Sequence, residues 1–227
     1  MAGVQHEEKP KPRGGKRPNA GRKKSPDFKY DPSHAKRPEL SFKHPVHVML
    51  RTLASVPRLR QRDGFEAIRA ALLYFLGGDG FRIVHISIQR NHLHLIVEAA
   101  NKQALRTGMQ RFAIRAARLL NKGFDREGKV FAFRYKAKQI KTPDYARNVL
   151  AYVLNNWRRH RADKYTDSEA MPFDFYASAG SFAGWARSRR LLPEPDLPVS
   201  PPRTALLASD WTLYGLIDPF EIPGPVD

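Results

Sequence analysis

Hydrophobic and polar residues follow two alternating periods along the middle of the chain. Segments with a period of two, typical of β-strands, alternate with segments whose apolar residues recur every three to four positions, typical of helices. The predicted strands cover residues 47–54, 81–89, 92–99 and 129–142, and the predicted helices cover residues 63–78, 102–123 and 143–160. The predicted element order is therefore β-α-β-β-α-β-α.

This order predicts an α+β fold with a split β-α-β arrangement, of the ferredoxin or RNA-recognition-motif type, and a sheet of about four strands. A tight turn at Arg90-Asn91 predicts that the second and third strands form a hairpin. We expect the first two helices on one face of the sheet. The third helix is then free to cross the other face or the edge.

Composition divides the chain into three predicted regions. Residues 1–38 combine Gly, Pro, Lys and Arg with few apolar residues, which predicts a basic disordered arm. Residues 39–160 form the predicted folded domain, and residues 161–227 a Pro-rich, acidic C-terminal extension. We expect this extension to dock Leu206, Leu207, Trp211, Tyr214 and Phe220 onto the domain. Its acidity also permits a role in covering a DNA-binding groove, with simple packing as the alternative.

The net charge of +18 is concentrated in the central region, where 23 Lys and Arg face 8 Asp and Glu. So many uncompensated cations favour a polyanionic partner. The chain has no cysteine, which excludes disulfides and cysteine-ligated zinc. It also has no long apolar run of the kind that spans a membrane. We therefore expect a cytoplasmic protein without a membrane partner.

The stretch SIQRNHLHLIVEA places two histidines on one predicted strand. Because alternate residues of a strand share a face, His92 and His94 point the same way, while Leu93, Leu95 and Val97 point into the helix-covered core. Two parallel imidazoles can offer ring nitrogens to one divalent cation. A polar, solvent-facing strand is the alternative interpretation of the same pattern.

The third predicted helix offers further groups to such a site. Tyr152 and Asn156 lie one helical turn apart, so both side chains can reach the same point. An amide oxygen added to two imidazoles suits Mg²⁺ or Mn²⁺ better than structural zinc, and it leaves positions for phosphate oxygens. A phenol is a weak nucleophile at neutral pH, so the metal or a cation such as Arg159 must favour its ionisation. The pattern thus predicts phosphoryl transfer.

These segments resemble a known enzyme family. NHLHLIVEA resembles the histidine-hydrophobic-histidine motif of the single-tyrosine HUH transposases, and YVLNN is similar to their catalytic helix. GKVFAFRYKAKQI resembles the aromatic and basic strand that precedes this helix, so the resemblance covers about residues 42–160. Within the family, the chain is most similar to the transposases associated with repetitive extragenic palindromes (REP).

The resemblance implies a mechanism and a role for each site residue. His92, His94 and Asn156 are implied to bind the metal. Tyr152 is implied to be the nucleophile, which forms a 5′-phosphotyrosine and leaves a free 3′-hydroxyl. The implied substrate is single-stranded DNA beside an imperfect hairpin. The resemblance also implies that residues 39–160 are the catalytic domain and that the DNA-bound protein is associated with the bacterial nucleoid.

Basic side chains in several elements are predicted to contact the phosphates of single-stranded or hairpin DNA, with a generic solvated surface as the alternative. They are Arg17, Arg22, Lys23, Lys24, Arg106, Arg111, Arg115, Arg118, Lys136, Lys138, Lys141, Arg158 and Arg159. Joining two DNA ends with one tyrosine per chain makes a homodimer plausible.

Other interpretations remain open at this stage. Tyr145 lies seven residues before Tyr152, but the residue four positions after it, Val149, cannot bind a metal. His47 and His85 are expected to have ordinary hydrogen-bonded roles. The alternative to a metal-dependent transposase is a DNA-binding protein of the same fold that no longer cleaves. An RNA-binding sheet ranks last, because the predicted outward positions of the strand hold histidines and a glutamate rather than paired aromatic residues.

Overall fold

The computed structural model describes residues 38–161, 172–187 and 196–226. Its four strands are Val46–Arg51 (β1), Phe81–Ile88 (β2), His92–Ala99 (β3) and Lys136–Gln139 (β4). Its helices are Arg62–Leu73 (α1), Lys102–Gly123 (α2), Pro143–Arg159 (α3) and the short Ala205–Ala208 (α4), which a 3-10 helix at Asp210–Tyr214 follows.

The strands form one antiparallel sheet in the order β2-β3-β1-β4. The predicted hairpin is present, because the Gln89 amide donates to the His92 carbonyl at 2.9 Å around Arg90 and Asn91. Within the sheet, His94 lies opposite Met49 of β1 and Ser87 of β2. The predicted α+β fold with four strands is confirmed.

Side-chain caps explain why the starts of the two longest helices are readable in the sequence. The Asn101 side chain accepts a hydrogen bond from the Ala104 amide at 2.9 Å at the start of α2. The Thr142 hydroxyl accepts from the Tyr145 amide at 3.3 Å at the start of α3, where proline occupies the first turn. Each cap satisfies a backbone donor that the helix itself leaves unpaired.

Two predicted elements are shorter in the structure. The fourth strand was predicted over 129–142, but β4 has only four residues. Val130, Phe131 and Ala132 are buried consecutively and lie beside the end of β1, where the Leu53 amide donates to the Val130 carbonyl at 2.8 Å and the Ala132 amide to the Arg51 carbonyl at 2.9 Å. This pairing amounts to one isolated bridge, between Thr52 and Phe131, so it does not extend β4. Helix α1 ends at Leu73, before the left-handed Gly77 (φ 73°), and its N-cap is Gln61.

The sheet separates two hydrophobic cores. The first core lies between one face of the sheet and helices α1 and α2, and its members include Leu50, Ile68, Leu93, Leu95 and Phe112. The second core lies on the opposite face, beneath α3 and the C-terminal segments, and its members include Ile96, Leu150, Phe173, Trp185 and Trp211. The expected placement of two helices on one face and the third on the other is therefore present.

The C-terminal segments 172–187 and 196–226 contribute much of the second core. Leu206, Leu207 and Trp211 are buried there as expected, but Tyr214 and Phe220 are 53% and 38% exposed. Tyr214 is therefore only half covered, whereas Phe220 packs against the Arg158 guanidinium, which lies 4.9 Å from the centre of its ring. Within the described residues, none of the helices has both the length and the apolar character that crossing a membrane requires.

Candidate active site

Three histidine side chains meet on the second-core face of the sheet. The Nε2 atoms of His92 and His94 are 3.0 Å apart, and Nδ1 of His94 lies 3.1 Å from Nε2 of His47 on β1. His94 is buried. The alternative interpretation of the sequence, a strand whose polar side faces solvent, therefore does not apply at this position. The histidines lie outside the first core but beneath α3.

Helix α3 brings the predicted nucleophile to these histidines. The Tyr152 ring lies 5.1 Å from the His94 ring and 5.9 Å from the His47 ring, measured between centroids. One residue past the helix, His160 has its ring 6.3 Å from that of His92. Because residues four apart share a helical face, Asn156 lies between these two contacts on the side of α3 that faces the histidines.

The side chain of Asn156 is buried without a hydrogen-bond partner. Its exposure is 0%, and neither atom of its amide makes a hydrogen bond within the part of the chain that the structure describes. The neighbouring Asn155 also has an unpaired Oδ1, but its Nδ2 donates to the Asp218 carbonyl at 2.9 Å. A buried polar group without a partner is costly, so the Asn156 amide is suited to a ligand that supplies the missing interaction.

Burial keeps the imidazoles of His92 and His94 neutral. It lowers the pKa of His92 to about 4, with further lowering by His160 and Arg51. Burial also holds the pKa of His94 well below its usual range, aided by His47, His92 and His160. Each neutral imidazole has one protonated nitrogen and one free lone pair. The site therefore has nitrogen lone pairs available at neutral pH.

The donor set fits a divalent cation. Two neighbouring nitrogen ligands, each roughly 2.1 Å from one ion, are about 3 Å apart when they bind at right angles, which is near the separation of the two Nε2 atoms. Over residues 38–161, 172–187 and 196–226, no group of three or more His, Cys, Asp or Glu side chains is arranged to hold a metal ion. The unpartnered amide oxygen of Asn156 offers a third protein ligand of a different kind.

The basic residues predicted to contact DNA lie on several surfaces. Arg106, Arg111, Arg115 and Arg118 are exposed on α2, on the opposite side of the sheet from the histidines. Lys136, Lys138 and Lys141 are exposed on and just after the edge strand β4, and Arg159 is exposed at the end of α3. Arg17, Arg22, Lys23 and Lys24 fall outside the described residues.

Arg158 requires a correction. It is only 6% exposed, and its guanidinium donates to the carbonyls of Pro219 and Pro172 at 2.6 and 2.9 Å. It also packs against the rings of Trp157 and Phe220. The Arg158 guanidinium is therefore hydrogen-bonded to the C-terminal segments and buried by them. The prediction that it contacts phosphate was wrong.

Sequence reasoning missed His47 and His160 as parts of the site. His47 was expected to have an ordinary role, because the pattern of β1 does not reveal its register against β3. His160 was overlooked, although its spacing of four residues from Asn156 was a readable signal. His85 does have the expected ordinary role, with its Nδ1 3.2 Å from the Ser178 hydroxyl. Tyr145 donates its hydroxyl to the Val226 carbonyl at 3.1 Å, which ties it to packing.

Comparisons with known proteins identify the family. No curated protein sequence matches the chain. A solved structure of a REP-associated tyrosine transposase bound to a REP hairpin is 14% identical and covers 71% of this chain and 88% of its own, with a TM-score of 0.47. The family model described as "Transposase IS200 like" matches residues 41–156, a range that includes both strand histidines, Tyr152 and Asn156. The chain therefore belongs to the IS200-like transposases, a family of enzymes that process DNA during transposition.

Proposed function

We propose that this transposase cleaves and rejoins single-stranded DNA near hairpin repeats, with Tyr152 as the nucleophile and Mg²⁺ or Mn²⁺ as the cofactor. The observation that carries the proposal is the position of Tyr152 beside His94, on the helical face that also presents the unpartnered Asn156 amide. A tyrosine, two neutral imidazoles and an amide oxygen are the groups that metal-assisted attack on a phosphodiester requires.

His92, His94 and Asn156 would hold the metal. When bound there, it would act as a Lewis acid that withdraws charge from a phosphodiester oxygen. The two imidazoles come from one strand and the amide from α3, so the set is complete only when the helix packs on the sheet. The caps and the second core that position α3 are therefore part of the proposed site.

Tyr152 performs the covalent step. Its phenol loses a proton and its oxygen attacks phosphorus, which forms a 5′-phosphotyrosine and breaks the bond to the 3′-oxygen. That oxygen takes up a proton and leaves as a 3′-hydroxyl, so the step is a transesterification without net hydrolysis. The guanidinium carbon of Arg159 lies 5.9 Å from the centre of the Tyr152 ring, where its charge favours the ionised phenol. Attack by a 3′-hydroxyl on the phosphotyrosine reverses the step and rejoins DNA.

Charge supports nucleic acid as the substrate. Residues 39–160 have an excess of 15 positive charges. Exposed lysines lie on β4 and just after it, and β4 pairs with β1, the strand that contains His47. Phosphates bound along this edge would place a strand beside the histidines. The sequence resemblance to REP-associated transposases supports a hairpin as the recognised feature. Two copies, each supplying one tyrosine, would be able to exchange two ends.

A labelled-strand assay tests the proposal. Single-stranded DNA containing the palindromes that flank the gene is incubated with protein and Mg²⁺ or Mn²⁺, then resolved under denaturing conditions. With a 3′ label we expect a slow protein-DNA band, because the 5′-phosphate stays on Tyr152. With a 5′ label we expect a free fragment whose 3′-hydroxyl a polymerase can extend.

Tyr152→Phe and His92→Ala/His94→Ala should both abolish the slow band. Tyr145→Phe is the matched control, because it removes a phenol from the same helix at a position used for packing, and it should retain the band. DNA binding without a band or a nick in either metal would instead support a protein that binds without cleaving. A band that persists in Tyr152→Phe would show that another residue is the nucleophile.

A further inference from the structure

Arg51 lies at the solvent-facing end of the histidine group. Along β3, His94 is buried and His92 is half-buried, and Asn91, just before the strand, is exposed. Arg51 is the last residue of β1 and is also exposed. A DNA strand can therefore reach the site from solvent at this end of the two paired strands.

The strand register places the Arg51 side chain beside His92. Arg51 lies directly opposite His92 in the antiparallel pairing of β1 with β3. Alternate residues of a strand share a face, so Arg51 lies on the same face as His47, which contacts His94. The Cβ atoms of directly opposed residues are about 4.5–5.5 Å apart. The long arginine side chain can therefore extend its guanidinium past the His92 imidazole toward the proposed metal position.

The C-terminal segments engage other arginines on this side of the sheet, but not Arg51. Arg158 is buried against their carbonyls, and Arg159 donates to the Pro223 carbonyl at 3.2 Å. Among the residues that the structure describes, the Arg51 side chain has no hydrogen-bond or ion-pair partner. An exposed cation without such a partner can bind a phosphate without first breaking another contact.

We propose that Arg51 is a catalytic residue that binds a non-bridging oxygen of the scissile phosphodiester while Tyr152 attacks phosphorus. The inference rests on the proposed function and deepens it, since it assigns a second group to the reacting phosphate. Arginine stays charged in proteins, and its planar guanidinium donates two parallel hydrogen bonds to phosphate oxygens. Arg51 neither gives nor takes up a proton in this step.

A second cation has a separate task in this reaction. A phosphodiester has two non-bridging oxygens, and both have more negative charge once the Tyr152 oxygen has bonded to phosphorus. A metal ion held by the proposed ligands would neutralise one of them, and the Arg51 guanidinium stabilises the other. Loss of one such preorganised donor typically slows a reaction about 100- to 1000-fold.

Single-turnover rates of covalent-band formation test the inference. Protein in excess over labelled single-stranded DNA, with Mn²⁺, is compared with three variants. Arg51→Ala should slow band formation about 100- to 1000-fold. Arg51→Lys retains the charge but not the paired donors, so its rate should fall between those of Arg51→Ala and the unmodified protein. Arg62→Gln is the matched control, because Arg62 is an exposed arginine that pairs with Glu66 on α1, and it should react at the unmodified rate.

A modified substrate separates contact with the phosphate from a structural effect. A methylphosphonate at the scissile position replaces one non-bridging oxygen by an uncharged methyl group, and its two stereoisomers lack different oxygens. With the isomer that lacks the oxygen bound by Arg51, Arg51→Ala should react within about threefold of the unmodified protein. With the other isomer the loss should remain. An equal loss with both isomers would overturn the proposed contact.

Mn²⁺ affinity, measured by EPR without DNA, should not fall in Arg51→Ala, because the guanidinium is not a ligand. A fall would show that the substitution acts through the metal site and would overturn the inference. If Arg51→Ala and the unmodified protein form the band at the same rate, Arg51 has no catalytic role and the proposed chemistry stands. If the unmodified protein forms no band with either metal, the proposed function fails, and the role of Arg51 fails with it.

Discussion

The two faces of the central sheet are both buried, but different kinds of side chain cover them. Along β3, Leu93, Leu95 and Val97 enter the first core, whereas the intervening positions on the other face include His94 and Glu98. The first face gains stability from close packing of apolar groups. The second face keeps buried polar groups whose partners come from β1, α3 and the C-terminal segments. A single strand therefore serves packing on one side and chemistry on the other.

The largest expected effect tests whether the first face serves stability alone. Phe112 is fully buried against Phe75, and we expect Phe112→Ala to lower the free energy of unfolding by about 3–5 kcal/mol. Urea unfolding followed by circular dichroism measures the loss. The exposed Ile114 on the same helix is the control, and Ile114→Ala should change stability by less than about 0.5 kcal/mol.

The amount of covalent protein-DNA band formed by Phe112→Ala, normalised to the folded fraction, should match that of the unmodified protein. A loss of activity in molecules that remain folded would show that the two faces are not separate in function.

The second prediction concerns the polar partnerships of the other face. Glu98 accepts hydrogen bonds from the amides of Arg203 and Thr204 at 2.8–3.0 Å and lies 3.7 Å from the Arg82 guanidinium. Because Glu98→Gln removes the charge from these buried bonds and leaves Arg82 without its counter-charge, we expect a loss of about 2–3 kcal/mol. Hydrogen exchange at the Arg203 and Thr204 amides should also accelerate.

Glu66→Gln is the matched control, because Glu66 pairs with Arg62 on the exposed surface of α1. It should leave stability and amide exchange unchanged. If Glu98→Gln behaved in the same way, buried polar bonds would not be what holds the C-terminal segment on the sheet.

The smallest predicted effect is a pH dependence specific to the second face. Burial lowers the pKa of His85 to about 4, below its value of about 6.5 in the unfolded chain. As pH falls below 6.5 the unfolded state binds a proton that the folded state does not. The stability contribution of neutral His85 is therefore present above pH 6.5 and is lost as pH falls toward 4.

Between pH 7 and pH 5 this loss amounts to about 2 kcal/mol for His85. Urea unfolding at both pH values should show a drop in stability that is smaller by this amount in His85→Gln than in the unmodified protein. An equal drop in the two proteins would mean that His85 is not the source of this pH dependence.

Local signals made much of the fold predictable. Asn101 marks the start of α2, and Thr142 and Pro143 mark the start of α3. The two cap side chains accept hydrogen bonds from amides only three residues further along the chain. The alternation along residues 92–99 predicted which side chains enter the first core. Signals of this kind arise within a few residues, so the sequence contains them directly.

Features that depend on distant residues were not predictable. The contact of His47 with His94 depends on the register between two strands, because the two residues are 47 positions apart in the chain. The burial of Arg158 depends on carbonyls of Pro172 and Pro219, in segments without a clear periodicity. Tyr152 and Asn156 could be placed on one helical face, but that this face meets the histidines follows only from the packed structure.

The division into two cores also sets the order in which parts of the chain can fold during synthesis. Most of the first core comes from residues 46–131, whereas the second core extends to Val226. Tyr145, Arg147, Asn155 and Arg158 of α3 are all bonded to residues after 214. A nascent chain can therefore bury its first core early. The tyrosine-bearing helix gains these supports only when residues up to Val226 have left the ribosome.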